Sequence, residues 1–373
     1  MSRRTWRFLL TFSALSLTAV TASAGQFKRT VYYPAGQRPY QVIAAQLTQS
    51  GNVDLAVADY LTNQVCILLG NGDGTFKKPL RFSVAAPVAI ASGDFNGDGQ
   101  LDLVVVEYGG TGESGIAIFL GDGNGRFRQS AGYHSGVETT GVAVADFNGD
   151  GHDDVAVANN TGNVMVFFGT GKGTLKKPIT YKLAGGTPVA VAAGDLNGDH
   201  HSDLAVAQAG EASVAVFLND GTGRFLKPAR YTWNGSALDV KIADLRHNGK
   251  QDLVVADGAS GMVVLLNNGD GTFGKATIYP PTCQNCVAPE ACVVADFNLD
   301  GHLDVACATS IDDSYFYYGN GDGTFGLAMH LKDTINFKGG YGIASGDFNH
   351  DGAPDLAIPI EEYGKVAILL NTQ

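Results

Sequence analysis

Short runs of apolar residues alternate along the whole chain with clusters of Gly, Asp and Asn. Four kinds of run recur in a fixed order, seen between residues 76 and 121 as FKKPLRFSV, PVAIASG, LDLVVV and GIAIFL. No stretch keeps the 3.6-residue period of an amphipathic helix over a useful length. The pattern therefore predicts an all-β chain with four short strands per repeat, which we label A, B, C and D in that order.

An acidic loop between strands B and C returns about every 50 residues along the chain. Its first residue is, in order, Asp94, Asp146, Asp195, Asp244, Asp296 and Asp347, and a decayed copy begins at Gln46. Seven copies of a four-strand unit predict a seven-bladed β-propeller. The B strands consist of Ala, Gly, Ser and Val, which suits the crowded axis. The continuously apolar C strands suit burial on both faces.

The two ends of the chain complement each other. The last repeat stops after its D strand, KVAILLNTQ, and a missing A strand follows Phe27 as KRTVYY. We expect residues 26–33 to supply the outer strand of the last blade, because this closure removes a free sheet edge.

Glycine-rich segments between strands D and A, such as GNGDGTF at 70–76, predict tight hairpins whose Asp residues form turns and bind no metal.

Composition and the first residues indicate an exported protein. The chain has 373 residues, of which 45% are hydrophobic and 17% charged. Residues 1–24 have three arginines, an apolar stretch and a final Ala-Ser-Ala, which predicts a signal peptide cleaved near Ala24 and a single mature domain at 25–373. Its removal changes the formal charge from −12 to −15. Such acidity argues against nucleic acid and anionic membranes as partners. We expect a monomer that is secreted, periplasmic or on the cell surface, with no membrane insertion.

The cysteines indicate an oxidising compartment. Cys283, Cys286, Cys292 and Cys307 lie within 25 residues of one another, which predicts one or two disulfides. The favoured interpretation of CQNC at 283–286 is a local disulfide that closes a loop; a redox or zinc motif is the alternative. Cys66 falls in an apolar strand and is expected to be a buried free thiol.

The acidic loop has the chemistry of a calcium site shorter than an EF-hand. Both begin D-x-[DN]-x-[DN]-G, but here the last acid stands at position 9 and position 12 falls in a strand. Side chains at positions 1, 3, 5 and 9, with the backbone carbonyl at position 7, can supply the oxygens that Ca²⁺ prefers. The alternative is a set of Asx turns without metal. The predicted ligand sets are Asp94, Asn96, Asp98, Gln100, Asp102; Asp146, Asn148, Asp150, His152, Asp154; Asp195, Asn197, Asp199, His201, Asp203; Asp296, Asn298, Asp300, His302, Asp304; and Asp347, Asn349, Asp351, Ala353, Asp355.

The loops differ in completeness, so four to five bound calcium ions are expected. The loop at 195–203 keeps its ligands but has His200 where the others have Gly, which predicts weaker binding. In the fifth blade Arg246 occupies position 3, and its guanidinium is predicted to pair with Asp244 and Asp252 in place of an ion. The first blade keeps only Asp54 as an acid, so no site is predicted there.

The segments GDFNGDGQLDL, ADFNGDGHDDV and LGNGDGTF resemble the FG-GAP/VCBS-type repeat of the integrin α-subunit propeller and of many exported bacterial proteins. The resemblance covers essentially the whole mature chain. It implies a seven-bladed propeller with structural calcium and a role in adhesion or ligand recognition. Fungal lectins and some sugar-active proteins are similar too.

Recognition is expected on the face opposite the acidic loops, where the A–B and C–D loops vary in sequence. A partial polar ring is predicted just after the C strands, from Asp59, Glu107, Asn159, Gln208, Asp257 and Thr309. Exposed aromatic residues are predicted at Tyr40, Tyr60, Tyr108, Trp233, Tyr341 and Tyr363. We expect a non-enzymatic binding module for an extracellular protein or glycan, with no catalytic residues and no organic cofactor. The alternative is a lectin or a carbohydrate-active lyase or hydrolase, in which Glu107 or Glu361 would act.

Overall fold

The computed structural model describes residue 27 and residues 30–109, 113–281, 289–310, 314–331 and 341–373. It forms seven four-stranded antiparallel sheets arranged as the blades of a ring. In chain order the first strand is β1 (Val31–Pro34), which belongs to the last blade. Blade 1 contains β2 (Pro39–Ala45), β3 (Asp54–Asp59), β4 (Gln64–Leu68) and β5 (Leu80–Ser83). Blade 2 contains β6 (Pro87–Gly93), β7 (Asp102–Glu107), β8 (Glu113–Gly121) and β9 (Phe127–Val137).

The remaining blades repeat this order. Blade 3 contains β10 (Thr139–Ala145), β11 (Asp154–Asn159), β12 (Asn163–Phe167) and β13 (Ile179–Lys182). Blade 4 contains β14 (Thr187–Gly194), β15 (Asp203–Ala209), β16 (Ser213–Phe217) and β17 (Ala229–Thr232). Blade 5 contains β18 (Ala237–Ala243), β19 (Asp252–Asp257), β20 (Gly261–Leu265) and β21 (Thr277–Tyr279). Blade 6 contains β22 (Ala291–Ala295), β23 (Asp304–Ala308), β24 (Tyr315–Tyr317) and β25 (Met329–His330). Blade 7 contains β26 (Ala344–Gly346), β27 (Asp355–Ile360) and β28 (Lys365–Leu369), and one 3₁₀ helix, Glu361–Tyr363, follows β27.

The sequence pattern of each strand matches its depth in the ring, and the all-β propeller prediction is confirmed. The second strand of each blade is the most deeply buried, with every residue of β3 (DLAVAD) buried. The innermost strands touch their counterparts in the neighbouring blades. Small residues are needed there: a Cβ on Gly141 of β10 would lie 2.7 Å from the Cα of Ala190 in β14.

The hydrophobic core consists of layers between adjacent blades. One such layer joins blades 3 and 4 through Val166, Phe147, Val206 and Phe217. Of these residues, Phe147 comes from the second position of an acidic loop, as do Phe95, Phe297 and Phe348 in other blades, and all four are at most 2% exposed. Each acidic loop is therefore anchored in the core that joins two blades.

The ring closes through the N-terminal segment, as predicted. β1 pairs antiparallel with β28, with Val31 opposite Ile368 and Tyr33 opposite Val366. An isolated bridge joins Phe27 to Asn371. Strands from the two ends of the chain thus share one sheet, and β28 is not left as an edge.

The cysteines partly follow the prediction. Cys292 and Cys307 face each other on β22 and β23 and form a disulfide. Cys66 is a buried free thiol, as expected. Cys283, Cys286 and the predicted signal peptide at 1–24 lie outside the described residues. Within the described ranges, no helix is long and apolar enough to cross a membrane.

Candidate calcium loops and the opposite face

The five complete acidic loops fold alike. In blade 2 the two carboxylate oxygens of Asp94 accept the backbone N–H groups of Gly97 and Gly99, both at 2.8 Å. The side chain of Asn96 accepts the N–H of Asp98 at 2.9 Å. Each first-position residue of the other complete loops likewise accepts two backbone N–H groups of its own loop: Asp146, Asp195, Asp296 and Asp347. The loop backbone is thus wrapped around its first carboxylate.

The residue at position 9 lies at the base of the loop and is fully buried. Asp102 accepts the N–H of Phe95 at 3.0 Å and the N–H of Gly121 at 2.8 Å, which joins the acidic loop to the D–A hairpin of the same blade. Burial raises the pKa of Asp102 to about 6, and the carboxylates of Asp98 and Asp94 add to the rise. The pKa values of Asp154, Asp203, Asp304 and Asp355 are raised to about 6 in the same way.

Position 7 holds Gln100, His152, His201, His302 or Ala353. In each case its backbone N–H donates to the carboxylate at position 5, at 2.8 to 3.1 Å. The position therefore belongs to the loop through its backbone, which explains why such different side chains are tolerated.

The Asp residues of the D–A hairpins form turns, as predicted: Asp73, for example, accepts the N–H of Thr75 at 3.0 Å within its own turn.

The donor chemistry of these loops fits a divalent cation. Each complete loop gathers three carboxylates and an amide oxygen in nine residues, and one carboxylate is buried with a raised pKa. No group of three or more His, Cys, Asp and Glu side chains stands at metal-binding spacing within the described ranges. Such a group contains only His, Cys, Asp and Glu side chains. The predicted ligand sets also use the amide oxygen at position 3 and the backbone carbonyl at position 7. Calcium remains the cation expected for an all-oxygen donor set.

In the two incomplete loops, protein groups contact the acid at position 9. In blade 5 the guanidinium of Arg246 donates to both carboxylate oxygens of Asp252, at 2.7 and 3.1 Å. The predicted second partner is wrong: Asp244 instead accepts the N–H groups of Asn248 and Gly249. In blade 1 the hydroxyl of Thr48 donates to Asp54 at 3.0 Å.

On the opposite face, the predicted polar ring consists largely of structural groups. Asp59 is fully buried and accepts the N–H of Arg38 at 2.7 Å. Asp257 is also fully buried and accepts the N–H of Ser236 at 2.8 Å and the indole N–H of Trp233. Asn159, Gln208 and Thr309 are likewise buried. These side chains hold the A–B and C–D loops together, because buried backbone groups need partners.

The predicted aromatic residues divide into two groups. Tyr40 and Tyr341 stack with ring centroids 4.7 Å apart, and Tyr60 meets Tyr108 edge to face at 6.2 Å. These four are half-buried around the axis, so the prediction of exposure is wrong for them and for Trp233. Tyr363 is 48% exposed, as predicted.

Two adjacent cavities with shared lining residues lie near these tyrosines. The axial cavity, of about 500 Å³, is bounded by the innermost strands. At its mouth is a cavity of about 240 Å³, here called the tyrosine pocket, lined by Arg38, Tyr40, Tyr60, Val88, Tyr108, Thr140 and Asn160. Sequence reasoning missed Arg38, Thr140 and Asn160, which come from different loops and strands and share no sequence motif.

A third cavity, of about 330 Å³, contains Glu107, Tyr108 and His134. Burial raises the pKa of Glu107, and a backbone N–H of Ala85 opposes the rise. Glu361 lies apart from this cavity and pairs with the guanidinium of Arg38. The two acids of the alternative enzymatic hypothesis therefore belong to different surroundings.

Solved structures similar to this chain include two lectins and one protein complex. A lectin of Agrocybe aegerita, described as recognising non-reducing terminal N-acetylglucosamine, is 20% identical over 88% of this chain and 85% of its own, with a TM-score of 0.57. The BP39L lectin of Burkholderia pseudomallei is 16% identical over 90% and 96%, with a TM-score of 0.67. BBS1N, solved in complex with ARL6DN, is 16% identical over 93% and 98%, with a TM-score of 0.61. At these identities the similarity establishes the fold.

No curated protein matches the sequence significantly. The pattern of the FG-GAP-like repeat matches six overlapping segments, at residues 46–105, 94–157, 146–206, 201–255, 244–307 and 296–358. Each segment begins at or within one acidic loop and ends within the C strand of the next blade, so the matches follow the repeat unit. They cover well over half of the sequence, and the chain therefore belongs to the FG-GAP-like repeat family.

Proposed function

We propose that this protein is an exported, calcium-stabilised binding module that recognises a glycan through the face opposite the acidic loops and catalyses no reaction. The observation that carries the proposal is the difference between the two faces. One face repeats the same loop and the same hydrogen bonds in blade after blade. The other has loops of different sequence around a cavity lined by aromatic and polar side chains, the usual composition of ligand sites.

Calcium would act as a structural element in this proposal. The N–H of Gly173 in blade 3 donates to the carbonyl of Phe95 in the acidic loop of blade 2, at 2.8 Å. The side chains of Asn219 and Asn371 donate to the loop carbonyls of Phe147 and Phe297 in the same manner, both at 2.7 Å. An ion that orders an acidic loop would therefore also stabilise the contact with the next blade.

A glycan is the preferred ligand class for two reasons. Two of the similar propellers are lectins, and the cavity on the variable face has planar aromatic rings next to hydrogen-bonding groups. The similarity to BBS1N, solved in complex with ARL6DN, makes a protein partner the second outcome of the test. Export is supported by the Cys292–Cys307 disulfide, because disulfides persist in oxidising compartments.

The test uses protein exported from the full chain and applied to a glycan array in calcium, after chelation, and after calcium is restored. We expect four to five calcium ions per chain by mass spectrometry, binding to a subset of glycans, loss of binding on chelation, and no release of reducing sugar from the bound glycans. Folded, calcium-loaded protein that binds no glycan on the array would contradict the proposed function. Released sugar would instead support the enzymatic alternative.

A further inference from the structure

We propose that the tyrosine pocket is the glycan site and that it receives a single neutral hexose ring, inserted end-on at the mouth of the axial cavity. This inference rests on the proposed function and adds to it a location and a ligand chemistry. Residues from blades 1, 2 and 3 form the pocket. Because the three blades contribute different residues, this pocket is not a motif repeated from blade to blade.

The size of the pocket fits one sugar ring. Its volume of about 240 Å³ is below the roughly 300–1,000 Å³ of sites for drug-sized ligands. Tyr40, Thr140 and Asn160 also line the axial cavity. A terminal ring can therefore enter from the variable face while the rest of the glycan stays in solvent.

Two tyrosine rings form walls of the pocket and are inclined to each other. The rings of Tyr60 and Tyr108 are inclined by 64° with centroids 6.2 Å apart. Aromatic faces carry partial negative charge and attract polarised C–H groups, which a pyranose presents on its apolar face. Burial raises the pKa of Tyr108, and the nearby carboxylate of Glu138 adds to the rise, so this wall stands next to a charged group of the protein.

Asn160 supplies a hydrogen-bond acceptor of fixed orientation. Its side-chain N–H donates to Glu138 at 2.9 Å, which turns the amide oxygen Oδ1 the other way. That oxygen is buried and accepts no hydrogen bond from any described residue. A buried acceptor without a donor is costly, and a ligand that donates to it recovers the cost. A sugar hydroxyl is such a donor.

The charges around the pocket favour a neutral ligand. Arg38 is the cation among the described lining residues, and its guanidinium is paired with Glu361 and lies 5.6 Å from the centre of the Tyr60 ring. Glu138 and Glu290 stand near the same tyrosines. An anionic sugar would meet these carboxylates without an uncompensated positive charge. A ligand cation would compete with Arg38 for the face of Tyr60.

The experiment measures affinity by titration calorimetry for protein exported from the full chain in calcium. The probes are the methyl glycosides of glucose, galactose, mannose and N-acetylglucosamine, the methyl glycoside of glucuronic acid as the anion, and tetramethylammonium as the cation. The variants are Tyr60→Ala combined with Tyr108→Ala, and Asn160→Ala alone. The control is Tyr363→Ala, an exposed tyrosine on the same face outside the pocket. Thermal melting verifies that each variant is folded.

We expect at least one neutral glycoside to bind, with affinity reduced at least about tenfold in both pocket variants and unchanged in Tyr363→Ala. Tighter binding of the glucuronide or of tetramethylammonium would overturn the ligand class. Unchanged affinity in folded pocket variants would overturn the site and leave the proposed function standing. If the wild type binds none of the glycosides and no glycan on the array, both this inference and the proposed function fail.

Discussion

At position 3 of the fifth acidic loop, a guanidinium occupies the place of a metal ligand. Arg246 makes a two-pronged contact with Asp252, which is fully buried, and also donates to the carbonyl of Asn267 at 2.6 Å. The paired geometry gives this buried carboxylate an opposite charge and two hydrogen bonds. We therefore expect that one substitution at this position exchanges a protein cation for a metal ion.

Replacing Arg246 with Asn tests this exchange. In chelator, the free energy of unfolding should fall by about 3 kcal/mol, because the buried Asp252 loses its partner. In calcium, Arg246→Asn should bind one more ion than the wild type and recover much of the loss. Arg246→Met is the control and should lose stability in both conditions. Native mass spectrometry and chemical denaturation measure the two effects; an unchanged ion count in Arg246→Asn would refute the exchange.

The buried carboxylates at position 9 give the calcium effect a pH dependence. Their pKa values in the fold, about 6, lie above the ordinary value of 3.8. The calcium-free fold thus holds protons more tightly than the unfolded chain. The raised pKa values therefore stabilise the calcium-free fold fully below about pH 4. This contribution to stability disappears as the pH rises through about 6. Calcium binds the ionised form, so its benefit should be greatest above pH 6.

We therefore expect calcium to raise the Tm more at pH 7 than at pH 5. Differential scanning calorimetry at both pH values, with and without calcium and at matched ionic strength, measures the two increments. Equal increments would mean that the buried carboxylates do not bind the ion.

Several residue-level features could be predicted from the sequence. The ninth-position acids, the buried Cys66 and the Arg246–Asp252 pair follow from spacing and charge within one loop or strand. The pairing of Cys292 with Cys307 does not, because it depends on the register between β22 and β23. Loop conformation also overrides residue preference: His200 takes the left-handed conformation of the glycines it replaces, at φ 68°, because its N–H must reach Asp195.

At the scale of elements, a tyrosine on the outer strand of one blade links it to the next blade. The hydroxyl of Tyr133 accepts the N–H of Leu175 at 2.6 Å, and Tyr231 accepts the N–H of Phe273 at 3.2 Å. Tyr33 and Tyr181 make the same contact with Phe76 and Phe225. A tyrosine recurs at this place in TVYY, AGYH, ITYK and ARYT. Sequence reasoning nevertheless missed the link, because the sequence of an outer strand does not indicate which neighbouring blade it contacts.

Replacing Tyr133 with Phe should lower the free energy of unfolding by about 1 kcal/mol, since the buried N–H of Leu175 loses its acceptor while the ring contact remains. Tyr363→Phe changes an exposed tyrosine and serves as the control, with no expected change. Urea unfolding of the three proteins measures the differences. A Tyr133→Phe protein as stable as the wild type would show that the ring contact alone joins the blades.

At the scale of the whole molecule, the propeller was predictable and the pocket was not. The ring follows from seven repeats and complementary ends, which the sequence displays directly. The tyrosine pocket depends on tertiary structure: Tyr40 stacks on Tyr341, about 300 residues away in sequence, only when blade 7 closes on blade 1. The polar ring failed as a binding prediction for a related reason. Strand ends such as Asp59 and Asp257 face loop N–H groups that only the folded loops bring to them.

Ring closure also gives the protein a single vulnerable seam. Strand β1 covers the outer edge of blade 7, with Tyr32 and Tyr33 packed against the cores on either side of that blade. Removing residues 25–34 should leave β28 as an unpaired edge, so we expect a lower Tm and association through exposed strands. Removal of residues 1–24 alone is the control and should give a stable monomer. Light scattering after gel filtration and thermal melting measure both effects. A monomer without residues 25–34 that melts like the control would show that the ring is held by its inter-blade cores and acidic loops and does not require the terminal strand.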